Sequence, residues 1–182
     1  SEIVAEKSIN DFLGIHLIPR KKFSSELGSF SVTYESKLTA SNLFYQDSVS
    51  ILESPNTLKG MHFQSGEYAQ AKLITVLQGG LIDYFVDLRI GSPTYKDYGF
   101  VTLDDQNNNM LLLPAGFAHG YITLEQKTIV SYKLDAPYSP ENEMTLLWND
   151  PTIGIKWPAR NQLHISQKDL AGLTLPEIEK YL

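Results

Sequence analysis

The stretch Lys72-Leu73-Ile74-Thr75-Val76-Leu77-Gln78-Gly79-Gly80-Leu81-Ile82-Asp83-Tyr84-Phe85-Val86-Asp87-Leu88 decides the fold class. Two runs rich in β-branched and aromatic residues flank a Gly-Gly pair, and the pattern reads as a β-hairpin. In the second arm Ile82, Tyr84, Val86 and Leu88 share one parity while Asp83 and Asp87 share the other, the period of a half-buried strand. Outward from this core, residues 29–35, 42–47, 58–64, 98–103, 110–114, 119–124 and 128–134 are further predicted strands, separated by turn-rich pieces such as Asp104-Asp105-Gln106-Asn107-Asn108-Asn109. Strands at this spacing predict an all-β sandwich or barrel. Helical signal is confined to the tail, where Thr174-Leu175-Pro176-Glu177 offers a cap, an early proline and first-turn acid.

Composition agrees. Ten Tyr, eight Phe, 12 Gly and nine Pro favour strands and turns, and 182 residues suffice for one domain spanning 1–182. The absence of cysteine excludes disulfides, thiolate metal sites and cysteine nucleophiles. A net charge of −6 argues against nucleic acid or a membrane surface as partner. No run approaches a membrane span, and Ser1-Glu2-Ile3-Val4 lacks the basic and apolar blocks of a signal peptide, so a cytoplasmic location is expected.

Two of the four histidines stand in informative settings: His62 in Leu58-Lys59-Gly60-Met61-His62-Phe63-Gln64, and His119 in Pro114-Ala115-Gly116-Phe117-Ala118-His119-Gly120. Taken alone, each suits a hydrogen-bonded strand residue as well as a catalytic one. Pro-x-Gly-x-x-His resembles the second motif of the cupin superfamily, which implies a jelly-roll barrel, a double-stranded β-helix. Metal-binding cupins carry a His-x-His pair in their first motif, whereas this chain reads His62-Phe63-Gln64. Two imidazoles with a carboxylate such as Glu67 remain the way to a facial metal site, nothing in the spacing requires one, and no metal is expected.

Several further motifs occur in order: Phe44-Tyr45-Gln46-Asp47, Ala69-Gln70-Ala71-Lys72-Leu73, Val86-Asp87-Leu88-Arg89-Ile90-Gly91-Ser92-Pro93-Thr94, Tyr132-Lys133, Trp148-Asn149-Asp150-Pro151 and Ser166-Gln167-Lys168-Asp169. Together with the histidine motifs they resemble the dTDP-4-dehydrorhamnose 3,5-epimerases and related nucleotide-4-ketosugar epimerases, from about residue 14 to about residue 170. That resemblance implies a cofactor-independent isomerase of deoxysugar biosynthesis, with a nucleotide sugar as substrate and a homodimer that exchanges an amino-terminal strand. A 4-keto group acidifies the hydrogens on carbons 3 and 5, so inversion needs a base on one face, an acid on the other and stabilisation of the enolate. By resemblance His62 is the base, Asp169 its orienting partner, Tyr132 the opposite-face acid and Lys72 the cation near the developing negative charge. His119 matches a residue beside the sugar and phosphates, and Tyr138 an aromatic that stacks on the base. Gln46, Ser48, Lys59 and Lys168 fall at substrate-binding positions. Read without the family, Tyr132 is a barrel-lining aromatic, Lys72 a solvated strand end and Tyr138 an exposed loop residue.

The chain also departs from the family pattern. Where an Asp-Glu-Arg-Gly element followed by Phe-Phe-x-Glu is usual, it has Ser25-Glu26-Leu27-Gly28-Ser29-Phe30-Ser31-Val32, and neither Leu27 nor Val32 can pair with an anion or a sugar hydroxyl. Lys59 replaces an Arg and loses the bidentate fork, and Ser48 replaces an Asn. Retained proton-transfer residues beside altered pocket residues point to a changed substrate or regiochemistry. The competing readings are a single-centre epimerase, acting at carbon 3 or 5 only on a non-dTDP nucleotide sugar, a metal-dependent cupin enzyme, and a non-catalytic sugar-binding module.

Overall fold

The computed structural model describes residues 8–39 and 44–182, through which twelve strands run. One antiparallel sheet has the order β1 (His16–Pro19), β9 (Asn109–Leu113), β6 (Lys72–Gln78), β11 (Thr128–Leu134), β4 (Gln46–Leu52). The second has the order β12 (Glu143–Thr145), β5 (Leu58–Gln64), β10 (Phe117–Thr123), β7 (Gly80–Asp87), β8 (Tyr98–Asp104). β2 (Lys22–Ser25) and β3 (Gly28–Ser31) form a hairpin apart from both. With α1 (Gln167–Leu170) and α2 (Leu175–Glu179) at the tail, this is the all-β, cupin-like jelly roll that the sequence predicts. Among the described residues no helix is long and apolar enough to cross a membrane.

The Gly79-Gly80 hairpin is corrected. β6 pairs with β9 and β11, β7 pairs with β8 and β10, and the glycine pair carries the chain from one sheet to the other. Gly79 has φ +78°, and a Cβ there would stand 2.7 Å from Thr128 Oγ1. Each strand thus enters a different layer and is flanked on both sides by other strands of it. The half-buried reading of the second arm fails as well: Asp83 and Asp87 are fully buried. Leu81 and Phe85, which share their parity, belong to the barrel interior with Ile74, Val76, Leu103, Leu111, Phe117 and Val130. Tyr84, Val86 and Leu88 face outward, where Leu146, Ile153, Leu175 and Ile178 from the carboxyl-terminal segment cover them.

Predicted strands 58–64 and 128–134 match β5 and β11. Strand 29–35 shrinks to β3, and 42–47 overlaps β4 only at Gln46 and Asp47, its residues 42 and 43 lying outside the described residues. β4 is an edge strand that exposes Val49 and Ile51, so its apolar parity points to the wrong side for recognition. The tail helix forms as expected, with Glu177 Oε1 accepting from Thr174 Oγ1 at 2.9 Å.

Asp87, at the end of β7, accepts hydrogen bonds from the backbone N–H and Nε of Arg89 (2.9 and 3.0 Å), Arg89 Nη2 (3.1 Å), and the hydroxyls of Ser92 and Thr94 (2.6 Å each). Arg89 in turn lies 4.6 Å over the Phe117 ring. Burial pushes the Asp87 carboxyl up, but these donors outweigh it and hold it below its ordinary value. Because the folded value is depressed, its stabilisation is present above the unfolded value and is lost as pH falls through the folded one. Asp87→Ala therefore lowers the unfolding free energy by about 3–5 kcal/mol at pH 7. In urea titrations the gap between wild type and variant starts to narrow below pH ~4, where the carboxyl of the unfolded chain takes up a proton, and goes on narrowing as pH falls through the depressed folded value.

Candidate active site

Strand alternation places polar side chains inside the barrel, in rows that elsewhere carry its core. Lys72 shares its parity with Ile74 and Val76, Asp83 with Leu81 and Phe85, His119 with Phe117 and Tyr121, and Tyr132 with Val130. His62 of β5 stands directly opposite His119 of β10, and the register shifts between His119 and Tyr121. The two strands approach closely there, because a Cβ on Gly60 would stand 2.5 Å from Gly120 Cα, and Gly60 has φ +132°. Any side chain at Gly60 would push His62 and His119 apart.

The result is a cavity of about 240 Å³ between the sheets. His62 and His119 enter it from one sheet, Lys72 and Tyr132 from the other, and Gln46, Ser48, Lys59 and Tyr138 complete the predicted residues that line it. Asp169 and Lys168 do not line it. Asp169, 1% exposed on α1, sits behind His62: its Oδ1 is 2.7 Å from His62 Nε2, and its Oδ2 accepts from the Gly60 N–H at 3.0 Å. Ser166 caps α1 by accepting from the Asp169 N–H at 3.2 Å. Burial raises the Asp169 carboxyl, but the bonds from His62 and Gly60 more than offset this and bring it below its ordinary value. A carboxylate so fixed accepts a hydrogen bond from His62 Nε2–H and leaves the lone pair on Nδ1.

Lys168 is turned to the rim, where Nζ donates to Glu143 Oε1 at 2.7 Å while Tyr138 Oη donates to Glu143 Oε2 at 2.8 Å. Tyr138 is thereby tethered though exposed. Gln64 steadies the same loop, with Nε2 donating to the Tyr68 and Pro137 carbonyls (2.8 and 3.1 Å) and Oε1 accepting from the Ser139 N–H (2.9 Å). On the opposite sheet Tyr132 Oη and Ser50 Oγ lie 2.8 Å apart, and Gln46 Nε2 donates to Ser48 Oγ at 3.1 Å. Lys72 is buried, and burial draws its ammonium down to about 8 against the pull of Asp83 and Glu143. His119 Nδ1 lies 3.0 Å from Asp83 Oδ2; burial lowers the imidazole, and Asp83 partly restores it.

Sequence reasoning missed Asp83, Glu143, Ser50 and Gln64. Gln64 and Ser50 had a signal, since each shares the inward parity of a neighbour already singled out, His62 and Ser48. Asp83 was hidden because its face was read as the solvent side, and Glu143 because β12 is too short to show a period. Leu27, at the tip of the β2–β3 hairpin, is 92% exposed, and neither it nor Val32 reaches this cavity. Among the described residues no three His, Asp or Glu side chains are grouped to hold a metal ion, and Glu67 is exposed.

The comparisons fit this geometry. The family model for dTDP-4-dehydrorhamnose 3,5-epimerase matches residues 9–177. The chain is 40% identical over 168 residues to the dTDP-4-dehydrorhamnose 3,5-epimerase of Sinorhizobium fredii, covering 90% of this chain and 86% of the relative. The structure superposes with a TM-score of 0.85 and 38% identity on the Bacillus anthracis enzyme of that name, solved with TDP and PPi bound, covering 89% and 94% of the two chains. A Legionella pneumophila dTDP-6-deoxy-D-glucose-3,5-epimerase in complex with dTDP-4-keto-L-rhamnose gives 0.87 at 32% identity over 96% and 93%. With a match of that extent laid over a cavity built from the family's motifs, the chain belongs to the dTDP-4-dehydrorhamnose 3,5-epimerase family.

Proposed function

We propose that this chain is a cofactor-independent isomerase that inverts carbon 3, carbon 5 or both of a nucleotide-activated 4-keto-deoxysugar, in deoxysugar biosynthesis. The observation that carries the reading is the placement of His62 and Tyr132 on opposite sheets across one cavity, with the Lys72 ammonium between the layers. His62 Nδ1 removes the proton beside the carbonyl, and its Nε2–H leans on Asp169 as the ring becomes cationic. Lys72 faces the oxygen that gains charge as the enolate forms. Tyr132 Oη delivers a proton to the other face of the carbon, and Ser50 hydrogen-bonds the phenolate left behind. One proton leaves the sugar and one enters, and solvent resets both side chains. Both centres flank the same carbonyl, so one set of groups serves either.

Lys59 offers charge to a phosphate and Tyr138 a tethered ring to the base, and the TDP and dTDP-4-keto-L-rhamnose bound in the two solved relatives support a nucleotide sugar here. Lys59, Ser48 and Leu27 leave open a substrate other than that of the relatives, so the number of centres inverted belongs to the test. Incubation with a panel of nucleotide 4-ketosugars in heavy water places one deuterium for one centre and two for both, read by mass and by NMR position. His62→Asn lowers exchange by about 10²–10⁴-fold. No exchange with any member of the panel, or an unaffected His62→Asn variant, contradicts the reading.

The assembly is proposed to be a homodimer in which the β2–β3 arm reaches the second copy. Phe23, Leu27 and Phe30 are 61%, 92% and 66% exposed, an apolar surface that water alone leaves uncovered. Sedimentation equilibrium at micromolar concentration returns a dimer for the wild type and a monomer for Phe23→Ser/Phe30→Ser. A wild-type monomer with full activity contradicts the exchange.

A further inference from the structure

Asp83 is a carboxylate with no exposed surface in the wall of the barrel, and it lies outside the cavity lining. Its Oδ2 is 3.0 Å from His119 Nδ1, while its Oδ1 is buried without any hydrogen-bond partner. An oxygen left bare in this way carries the full desolvation cost of a charged group, so its neighbours must compensate. Lys72 Nζ is the complementary oddity: a buried ammonium that makes no hydrogen bond to a described residue, drawn down by burial against the pull of Asp83 and Glu143, while burial pushes the Asp83 carboxyl up against the pull of His119 and Lys72.

The other charged and titratable groups around Lys72 are occupied or are not anions. His62 and Lys59 face it from β5, His119 and Tyr121 from β10, and Tyr132 from β11. Glu143 of β12 already accepts from Lys168 and Tyr138, and Asp169 of α1 from His62 and Gly60. Asp135, just beyond β11, accepts from the Ala71 N–H at 2.6 Å. Among these carboxylates Asp83 alone keeps an oxygen unengaged.

We propose that Asp83 is a positioning residue of this site: it clamps His119 through Nδ1, and its free oxygen supplies the buried countercharge that holds Lys72 as an ammonium facing the cavity. The clamp turns the Nε2 lone pair of a neutral His119 toward the cavity, where it accepts from a sugar hydroxyl. The countercharge keeps Lys72 cationic and uncommitted to any protein acceptor, so that a ligand oxygen becomes its hydrogen-bond partner. What that oxygen does rests on the epimerase reading; the coupling of Asp83 to Lys72 does not.

Asp83→Asn, which preserves shape and removes charge, tests it. In ligand-free protein carrying [13Cε]lysine, the Lys72 resonance titrates at least one pH unit lower in Asp83→Asn than in wild type. In exchange assays the alkaline limb of kcat moves down with it, so that the variant is about threefold or more slower at pH 7.5, falls further behind as pH rises, and approaches wild type at lower pH. A purely structural role would slow the variant equally at every pH. Should Asp83→Asn fail to fold, Lys72→Met reads the same coupling from the other end, because coupling between two sites is reciprocal. The Asp83 carboxyl, followed with [13Cγ]aspartate, then titrates higher than in wild type by a matching amount. An unmoved Lys72 titration in Asp83→Asn, or an unmoved Asp83 titration in Lys72→Met, overturns the proposal even if wild type epimerises sugars. The expected shifts in a protein that exchanges no sugar proton would uphold it and sink the epimerase reading instead.

Discussion

The structure depends on one geometric constraint: along a strand, alternate residues must point the same way. Rows that carry Ile74 and Val76, or Leu81 and Phe85, therefore deliver their other members to the same interior whatever their chemistry. Lys72 ends the first of these rows, Asp83 lies between Leu81 and Phe85 in the second, and His119 and Tyr132 belong to similar rows. The same barrel is thus apolar where these rows pack tightly and polar where they open, and the hydrophobic core holds the polar end in place.

Placing charge inside a barrel is costly unless each group meets a partner. The molecule meets this by pairing each histidine with its own buried carboxylate, His62 with Asp169 and His119 with Asp83. The pairs come from different parts of the chain. Asp83 arrives on a barrel strand, whereas Asp169 arrives on a short helix of the carboxyl-terminal segment, whose Leu175 and Ile178 cover the outer face of the second sheet. That segment serves two ends at once, as apolar cover and as the source of the group that orients His62. On the rim, Lys168 beside Asp169 reaches Glu143 and so connects the same helix to Tyr138.

Much of the barrel was legible in the sequence because central strands such as β6, β7 and β11 carry β-branched and aromatic runs between turns. What was not legible has physical causes. Gly79-Gly80 looks the same whether it closes a hairpin or turns a corner between layers, since the local backbone need for glycine is shared and only the partners differ. Asp83 on a strand normally marks the solvent face, and here the carboxyl-terminal segment covers that strand's other side and reverses the assignment. β4 presents Ser48 and Ser50 inward and Val49 and Ile51 outward, against the usual rule, because its inner side forms part of a polar cavity. The cavity residues that were found came from motifs; Asp83 and Glu143 lay on strands whose period was misread or too short to read, while Ser50 and Gln64 were missed although they share the parity of Ser48 and His62.

The central claim is that proton removal and proton delivery occur on opposite faces, by His62 from one sheet and Tyr132 from the other. Tyr132→Phe separates them, since it keeps the ring and removes the hydroxyl that delivers the proton. Followed by NMR in heavy water with a turned-over 4-ketosugar, this variant is predicted to incorporate deuterium with retained configuration, returned by His62 to the face it left, while epimer formation falls by about 10²-fold or more. Unimpaired inversion, or loss of exchange together with inversion, would contradict the two-sheet account.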